Sequence, residues 1–156
     1  MIFYNRVYQY VNSDEDVRIR IVEIAELNAY YVELNGDTTM PKKVSLKTLE
    51  DEIEAGALLA ISDLFLMSYD DKNLTLKQIE KRDSDWEVIN TTWEAYKWRL
   101  LEKKTRDLAF DEIAEGFNLK KLKVKRLYTR FWQRGLNKNA LLPDYNKSGG
   151  KGKERD

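Results

Sequence analysis

The spacing of apolar residues changes once along this chain, and that change limits the folds available to it. Up to residue 34, apolar and polar side chains alternate in three short stretches, residues 7–11, 17–24 and 30–34. A period of two is typical of half-buried β-strands. From Leu74 onward, apolar residues recur every three, four or seven positions, which is the period of amphipathic helices. The sequence therefore predicts a β-rich first part and a helical second part.

The β-rich part is expected to contain one helix as well. Residues 45–55 carry apolar side chains on one helical face, with Ser45 as a candidate N-cap and Gly56 as a plausible stop. Residues 58–61 are apolar enough to form a closing strand. These features predict a small barrel-like α+β domain that ends near Tyr69.

The helical part begins with a long apolar repeat. Within it, Thr91 followed by Glu94 has the spacing of a capping box, which predicts two helices that meet near Asn90. Three of the four tryptophans fit helical packing positions, and Trp98 fits less clearly. Burial in a core is therefore a better explanation for the tryptophans than stacking on single-stranded bases.

The tail from residue 137 is polar and rich in Lys and Gly, and it is expected to be extended. The whole pattern predicts an α+β protein in three parts. Residues 1–70 form a small β-rich, barrel-like domain with one helix, residues 71–135 form an all-α helix-turn-helix domain, and residues 136–156 form a basic linker.

Composition excludes several kinds of site. The chain contains no Cys and no His, which excludes Cys/His zinc sites, Ser-His-Asp triads and Cys-His nucleophiles. The acidic runs at residues 14–16 and 70–71 fall in predicted turns, and Asp83 and Asp85 point to different faces of a helix, so none of them predicts a metal centre. We expect no catalytic centre, no cofactor and no small-molecule substrate.

The sequence also bears on location and on charged partners. No apolar stretch reaches the ~20 residues of a membrane span, and no signal peptide is recognisable, so a cytoplasmic protein is expected. Residues 1–70 hold 6 Lys and Arg against 13 Asp and Glu, whereas residues 71–156 hold 21 against 14. This asymmetry indicates that the second half binds a polyanion.

The spacing from residue 111 to residue 127 predicts a helix-turn-helix. Ala114 is small where two helices must cross closely, and Asn118 tolerates the positive φ of a sharp turn. Leu119 follows as an apolar plug. Val124 and Leu127 continue a buried stripe on the second helix, which Tyr128 and Phe131 extend.

The second helix of this motif is strongly basic. Seven Lys and Arg and no acidic residue occur from Asn118 to Arg134 inclusive, and phosphate neutralisation needs such a cluster. Leu122 is suited to contact a thymine methyl group, and Arg126 to donate to a guanine edge. Further basic residues, with the tail, are expected to hold flanking phosphates. The predicted DNA-binding residues are Lys120, Lys121, Leu122, Lys123, Lys125, Arg126, Thr129, Arg130, Arg134, Lys138, Lys147, Lys151 and Lys153.

Three short runs carry a resemblance to a known family. Residues 127–135 read Leu-Tyr-Thr-Arg-Phe-Trp-Gln-Arg-Gly, residues 139–145 read Asn-Ala-Leu-Leu-Pro-Asp-Tyr, and residues 148–152 read Ser-Gly-Gly-Lys-Gly. This region resembles the TnsB-type transposases, which are related to the Mu transposase and the retroviral integrases. The sequence departs from that family at Lys120, where Ser or Thr usually caps the helix, and at Thr129, where a basic residue is expected.

The resemblance implies a role. In that family this region recognises repeated sites at transposon ends, whereas strand transfer belongs to a later ribonuclease H-like domain with three metal-binding carboxylates. The chain is therefore expected to be a non-catalytic part of a longer DDE transposase, with double-stranded DNA and other transposition proteins as partners and no membrane. The resemblance also implies a bacterial, nucleoid-associated protein.

Two other functions stay open at this point. A transcription regulator can carry the same helix-turn-helix. The acidic N-terminal domain can instead be a protein-docking module, since its charge repels DNA unless Arg18, Arg20, Lys42 and Lys43 gather on one face.

Overall fold

The computed structural model of the chain describes residues 1–11, 14–65 and 71–142. A five-stranded antiparallel sheet comes first and the long helices follow, so the predicted α+β class is confirmed. The strands are β1 (Val7–Tyr10), β2 (Arg18–Ala25), β3 (Asn28–Glu33), β4 (Lys42–Ser45) and β5 (Leu58–Ala60). The helices are α1 (Leu46–Glu54), α2 (Leu76–Leu101), α3 (Lys103–Phe117) and α4 (Lys121–Gln133).

The sheet has the strand order β4-β3-β2-β1-β5, and every neighbouring pair is antiparallel. The three alternating stretches and the closing strand are all present, as predicted. Strand β4 was not predicted, because Lys42 and Lys43 are exposed and the strand contains only one apolar side chain. It is formed by pairing with β3, where Val44 lies opposite Ala29.

The expected helix of the β-rich part is α1. The Ser45 hydroxyl accepts a hydrogen bond of 3.1 Å from the Thr48 N–H, which confirms Ser45 as the N-cap. Gly56 follows the helix with φ +78°, so a residue without a Cβ ends it as predicted. Leu49 of α1 is fully buried and packs on one face of the sheet.

Helix α2 is continuous, so the prediction of two helices that meet near Asn90 is wrong. The capping box lies at the start of α2 instead, where Thr75 and Gln78 exchange hydrogen bonds of 3.1 and 2.8 Å. Thr91 and Glu94 have the same spacing but lie inside the helix. Side chains on both sides of Asn90 are buried, which keeps the helix unbroken: Val88, Ile89, Thr92 and Trp93.

One hydrophobic core joins the sheet to the helices. Val22 and Val32 of the sheet lie in the same cluster of buried side chains as Trp93, Phe110 and Trp132. A second cluster, with α1, covers the opposite face of the sheet. The sheet is therefore packed on both faces, and one of its faces holds the helices in place.

Arg20 makes a polar connection between the same parts. Its fully buried guanidinium donates to the Asp63 carboxylate at 2.7 and 2.8 Å, to the Gln133 carbonyl at 3.2 Å and to the Asn5 carbonyl at 3.0 Å. A buried charge must be paired, and the partners of this one include a carbonyl of α4. The network therefore connects the sheet to the end of α4.

The structure differs from the predicted extended linker over residues 138–142. Lys138–Leu141 form a 3-10 helix, capped by the Asn137 side chain, which accepts from the Ala140 N–H at 3.1 Å. Ala140, Leu141 and Leu142 are buried, because this short apolar run packs against α2 and α4. The rest of the predicted linker lies outside the described residues.

Candidate nucleic-acid interface

Helices α3 and α4 and the three residues between them have the geometry of a helix-turn-helix. Asn118 has φ +53° and ψ +45°, so the predicted positive φ is confirmed. The Leu119 N–H donates to the Ala114 carbonyl at 2.9 Å, a bond that closes the turn at the end of α3. The side chain of Lys120, the N-cap of α4, makes no capping bond.

The predicted buried stripe is confirmed. Ala114, Val124, Leu127, Tyr128 and Phe131 are all buried. The Tyr128 ring lies 6.0 Å from Phe110 of α3 and 5.3 Å from Trp132, measured between centroids. This aromatic packing fixes the angle between α3 and α4, and so it determines which face of α4 points outward.

Tyr128 also makes a buried hydrogen bond. Its hydroxyl lies 2.5 Å from the Thr92 hydroxyl of α2. Burial raises the pKa of Tyr128 above the usual value for a phenol, so the group stays protonated and available for this bond.

The outward face of α4 is exposed over its first turns. Lys120 and Arg126 are exposed, and the Leu122 side chain retains 46% of its accessible surface. Lys125 is partly buried, and its ammonium lies 6.0 Å from the centre of the Phe110 ring. These are the turns that enter the major groove in helix-turn-helix proteins.

Lys121 is held by acidic residues of α3. Its ammonium lies 2.5 Å from an Asp107 oxygen and 3.0 Å from an Asp111 oxygen. Hydrogen bonds to these two carboxylates raise the pKa of Lys121. Lys121 must exchange these partners if it is to contact a phosphate.

Lys123 faces α2. Its ammonium lies 3.5 Å from the Asp85 carboxylate, and partial burial lowers its pKa. Lys123 was predicted to bind DNA; in the structure its ammonium is paired with Asp85 of α2, so it must exchange this partner if it is to contact a phosphate.

Thr129, one of the predicted DNA-binding residues, is buried in the core and does not point outward. Only 1% of the Thr129 surface is exposed, and its hydroxyl donates to the Thr39 carbonyl at 3.1 Å. Gln133, one turn later, is also buried. Its amide donates to the carbonyls of Glu33, Asn35 and Gly36 at 3.1, 3.1 and 2.9 Å. The segment between β3 and β4, residues 34–41, therefore covers the second half of α4. We call it the β3–β4 loop.

Arg126 lies at the boundary between the exposed and the covered halves of this helix face. Its Nε is 3.4 Å from an Asp37 oxygen of the β3–β4 loop, and both side chains are more than half exposed. Exposed ion pairs of this kind contribute about 0–1 kcal/mol. The pair can therefore exchange readily for another anion.

The remaining predicted DNA-binding residues are distributed around the end of α4. Arg130 donates to the Leu142 carbonyl at 3.2 Å, and the Arg134 guanidinium lies 5.1 Å from the Phe65 ring centre. Lys138 pairs with Asp83 of α2 at 3.1 Å. Lys147, Lys151 and Lys153 lie outside the described residues.

The sequence left open whether four basic residues of the sheet region gather on one face, and they do not: Arg18, Arg20, Lys42 and Lys43. Arg20 is fully buried on Asp63, and Arg18 pairs with Asp16 at 2.9 Å. Two neighbouring lysines of β4 also have acidic partners, Lys42 with Glu33 at 2.7 Å and Lys43 with Glu102 at 3.5 Å.

The tryptophans mostly occupy packing positions. Trp93 and Trp132 are buried, and Trp86 packs partly buried against the same core. Trp98 is half exposed and meets Tyr30 edge to face at 6.2 Å. Stacking on single-stranded bases would need accessible rings, and two of the four tryptophans do not offer them.

Spacing rules did not single out three residues that shape this interface: Asp37, Arg106 and Gln133. Arg106 of α3 donates to the Pro41 carbonyl at 2.8 Å and to the Leu100 carbonyl at 2.7 Å, and its burial lowers the guanidinium pKa. Polar residues on a predicted helix surface carry no sign of which distant carbonyls they will meet.

Across residues 1–11, 14–65 and 71–142, no group of three or more Asp and Glu side chains is arranged to hold a metal ion. Within the same ranges no helix is long and apolar enough to span a membrane.

Comparison with known families gives the same order of domains. Residues 1–63 match the model of the TnsB N-terminal SH3-like domain, and residues 82–145 match the model of the TnsB second domain. The chain belongs to the TnsB-type transposase family. The resemblance predicted from residues 127–152 is therefore confirmed.

A curated relative supports this assignment. The chain is similar to the Transposon Tn7 transposition protein TnsB of Escherichia coli, with 26% identity over 141 residues. The match covers 87% of this chain and 19% of that protein. The chain thus spans about a fifth of the length of the TnsB relative that it matches.

Proposed function

We propose that this chain recognises double-stranded DNA in a sequence-specific manner through α4, at the ends of a transposon and as the N-terminal part of a DDE transposase. The observation that carries this proposal is the exposed first half of α4, which presents Leu122 and Arg126 among lysines. Exposed apolar and guanidinium groups side by side suit base edges better than they suit plain solvent.

Different parts of α4 are proposed to contact different parts of the DNA. The first turns of α4 enter the major groove, where Leu122 contacts a thymine methyl and Arg126 donates to a guanine. Lys120, Lys121 and Lys125 neutralise the phosphates on either side of the groove. Arg130 and Arg134, near the end of the helix, hold the flanking backbone, and the tail lysines extend this contact.

The reaction and the partners of the parent protein also belong to this proposal. The relative is named a transposition protein, and we infer that the present chain brings such a protein to its DNA. Strand transfer would then be carried out by a part of the parent transposase other than this chain, and other transposition proteins would join the complex.

Selection from a random duplex library, followed by anisotropy titration at several salt concentrations, tests the proposal. We expect one motif to be enriched and log K to fall with log salt by about 0.9 per phosphate contact. Binding without enrichment would reduce α4 to a non-specific clamp. An absence of binding would refute DNA recognition and favour a protein-docking role.

A matched pair of variants sharpens the test. Arg126→Ala removes one positive charge from α4, and Lys47→Ala removes one from the exposed Lys47–Asp51 pair of α1. The first variant is expected to lose selectivity at one base pair, whereas the second retains it. An equal effect of the two variants would mean that only net charge matters.

A further inference from the structure

A polar cavity lies between the β3–β4 loop and the second half of α4. Its volume is about 410 Å³. Arg126, Arg130 and Arg134 line it from the helix, and Asp37 is the only acidic residue among its described lining residues. Three guanidinium groups, each one helical turn from the next, make this a cationic cavity that belongs to both domains.

The cavity is held in shape by hydrogen bonds from two side chains of α4. The Gln133 amide is bonded to three carbonyls of β3 and the β3–β4 loop, and the Thr129 hydroxyl is bonded to the Thr39 carbonyl. Both side chains are buried. The loop is therefore fixed against the helix without any ligand, and a preformed site binds at a lower entropic cost.

Asp37 already places an anionic group at the cavity. Its carboxylate oxygen lies 3.4 Å from the Arg126 Nε in an exposed and therefore weak ion pair. A phosphate presents the same kind of acceptor oxygens, and arginine binds phosphate in a bidentate manner. The carboxylate thus shows that an anionic oxygen fits beside the arginines of this cavity.

The dimensions of α4 and of DNA bring a phosphate to this place. α4 has 13 residues, so it is about 20 Å long, whereas the major groove is about 12 Å wide. If the first turns of α4 lie in the groove, its later turns must meet the sugar–phosphate wall. The cavity is located at those later turns.

We propose that this cavity binds one backbone phosphate of the bound duplex through Arg130 and Arg134. Arg126 then breaks its ion pair with Asp37 and contacts the major groove instead. The SH3-like domain then contributes its β3–β4 loop to the DNA interface. This inference rests on the proposed function, because it assumes that α4 docks on double-stranded DNA.

The first test compares two neutralised carboxylates in the full chain. Asp37→Asn removes the competing anion, and the control Asp51→Asn removes another exposed, ion-paired acid, from α1. On the selected duplex, Asp37→Asn is expected to bind about two- to fivefold tighter than wild type, which is the range that an exposed ion pair can supply. Asp51→Asn is expected to match wild type. Equal affinities for the two variants would overturn the proposal.

The second test locates the phosphate. Single backbone phosphates of the selected duplex are replaced in turn by uncharged methylphosphonates, and each duplex is titrated with wild type and with Arg130→Gln. Gln retains an N–H donor for the Leu142 carbonyl but lacks the charge. We expect one position where neutralisation weakens wild type several-fold and leaves Arg130→Gln unchanged. If each phosphate replacement that weakens binding does so equally for wild type and Arg130→Gln, the cavity binds no phosphate.

The two proposals fail in different ways. Preference of wild type for the selected duplex over a scrambled one tests sequence recognition, whatever the effect of Asp37→Asn. Specific binding without the Asp37 and Arg130 effects would refute the cavity alone. If Asp37→Asn and Arg130→Gln have the expected effects on both duplexes, and wild type prefers neither duplex, sequence recognition is refuted and phosphate binding in the cavity is supported.

Discussion

The Arg20 guanidinium meets the Asp63 carboxylate through two hydrogen bonds, of 2.7 and 2.8 Å, and the arginine is fully buried. The same guanidinium reaches the Gln133 carbonyl at the end of α4. A pair between residues 43 positions apart in the sequence therefore connects the sheet to the helix that we propose reads DNA.

Asp63→Asn is expected to destabilise the protein by about 3–5 kcal/mol, because it leaves a buried guanidinium without its counter-charge. Urea unfolding at neutral pH measures this loss. Asp16→Asn removes the partner of the much more exposed Arg18 and should cost less than about 1 kcal/mol. Similar losses for the two variants would contradict the importance of the buried pair.

The stability conferred by Asp63 is expected to depend on pH. Burial acts to raise the pKa of Asp63, but hydrogen bonds from Arg20 and from the Phe65 N–H outweigh it and lower the pKa. A lowered pKa in the folded state means that the contribution is fully present above the unfolded value of about 3.9. It is lost as the pH falls through the folded value. The difference in unfolding free energy between wild type and Asp63→Asn should therefore shrink below about pH 4, and a constant difference would refute this assignment.

Asn118 is expected to be replaceable by Gly but not by Ala. The position has φ +53°, a conformation that costs a residue with an ordinary side chain about 1–2 kcal/mol. Asn118→Ala should lower the free energy of unfolding by about that amount, whereas Asn118→Gly should leave it within a few tenths. Thermal unfolding of both variants is the measurement. Ala and Gly variants of equal stability would mean that the turn relaxes to another conformation.

Gln133→Ala is expected to release the β3–β4 loop. Three backbone carbonyls lose their shared donor. At about 0.5–1.5 kcal/mol for a typical hydrogen bond, the loss of these partly buried bonds should lower the free energy of unfolding by about 1–3 kcal/mol in total. Hydrogen exchange should show faster exchange in residues 34–41 than in wild type. Gln78→Ala, which removes a capping bond at the start of α2, serves as the control, since it should leave exchange in the loop unchanged. An unaltered loop in Gln133→Ala would show that other contacts hold it.

Arg126→Ala is expected to weaken binding to the preferred duplex by about 1–3 kcal/mol and to relax selectivity at one position. The reason is the loss of a two-pronged donor to a guanine edge. Anisotropy titration against the preferred duplex and its single-base variants measures both effects. Unchanged binding would mean that α4 is not oriented on DNA as proposed.

The local features of this fold followed from the sequence alone. Alternation in residues 17–24 predicted β2, and the small residue Ala114 with Asn118 four positions later predicted the turn between α3 and α4. Ser45 and Gly56 marked the ends of α1. Each of these features depends on neighbours within a few residues, so spacing and residue type are sufficient to predict it.

Where a local sequence signal and the burial of apolar side chains favoured different structures, burial determined the structure. Thr91 and Glu94 have the spacing of a helix start, yet buried neighbours such as Ile89 and Trp93 keep α2 continuous. Residues 138–142 looked like a linker, yet Leu141 and Leu142 are buried. The free energy of burying apolar surface outweighs a single capping box or a preference for extended chain.

The sequence by itself determined most of the strands and helices, the helix-turn-helix and the basic second helix, because periodicity, turn chemistry and charge are local. Only the tertiary structure decided which side of that helix is accessible. Gln133 bonds to Gly36, 97 positions away, and Thr129 to Thr39, 90 positions away. Contacts of that separation depend on how the sheet and the helices share one core. That core leaves Leu122 and Arg126 exposed, buries Thr129 and creates the cavity lined by three arginines.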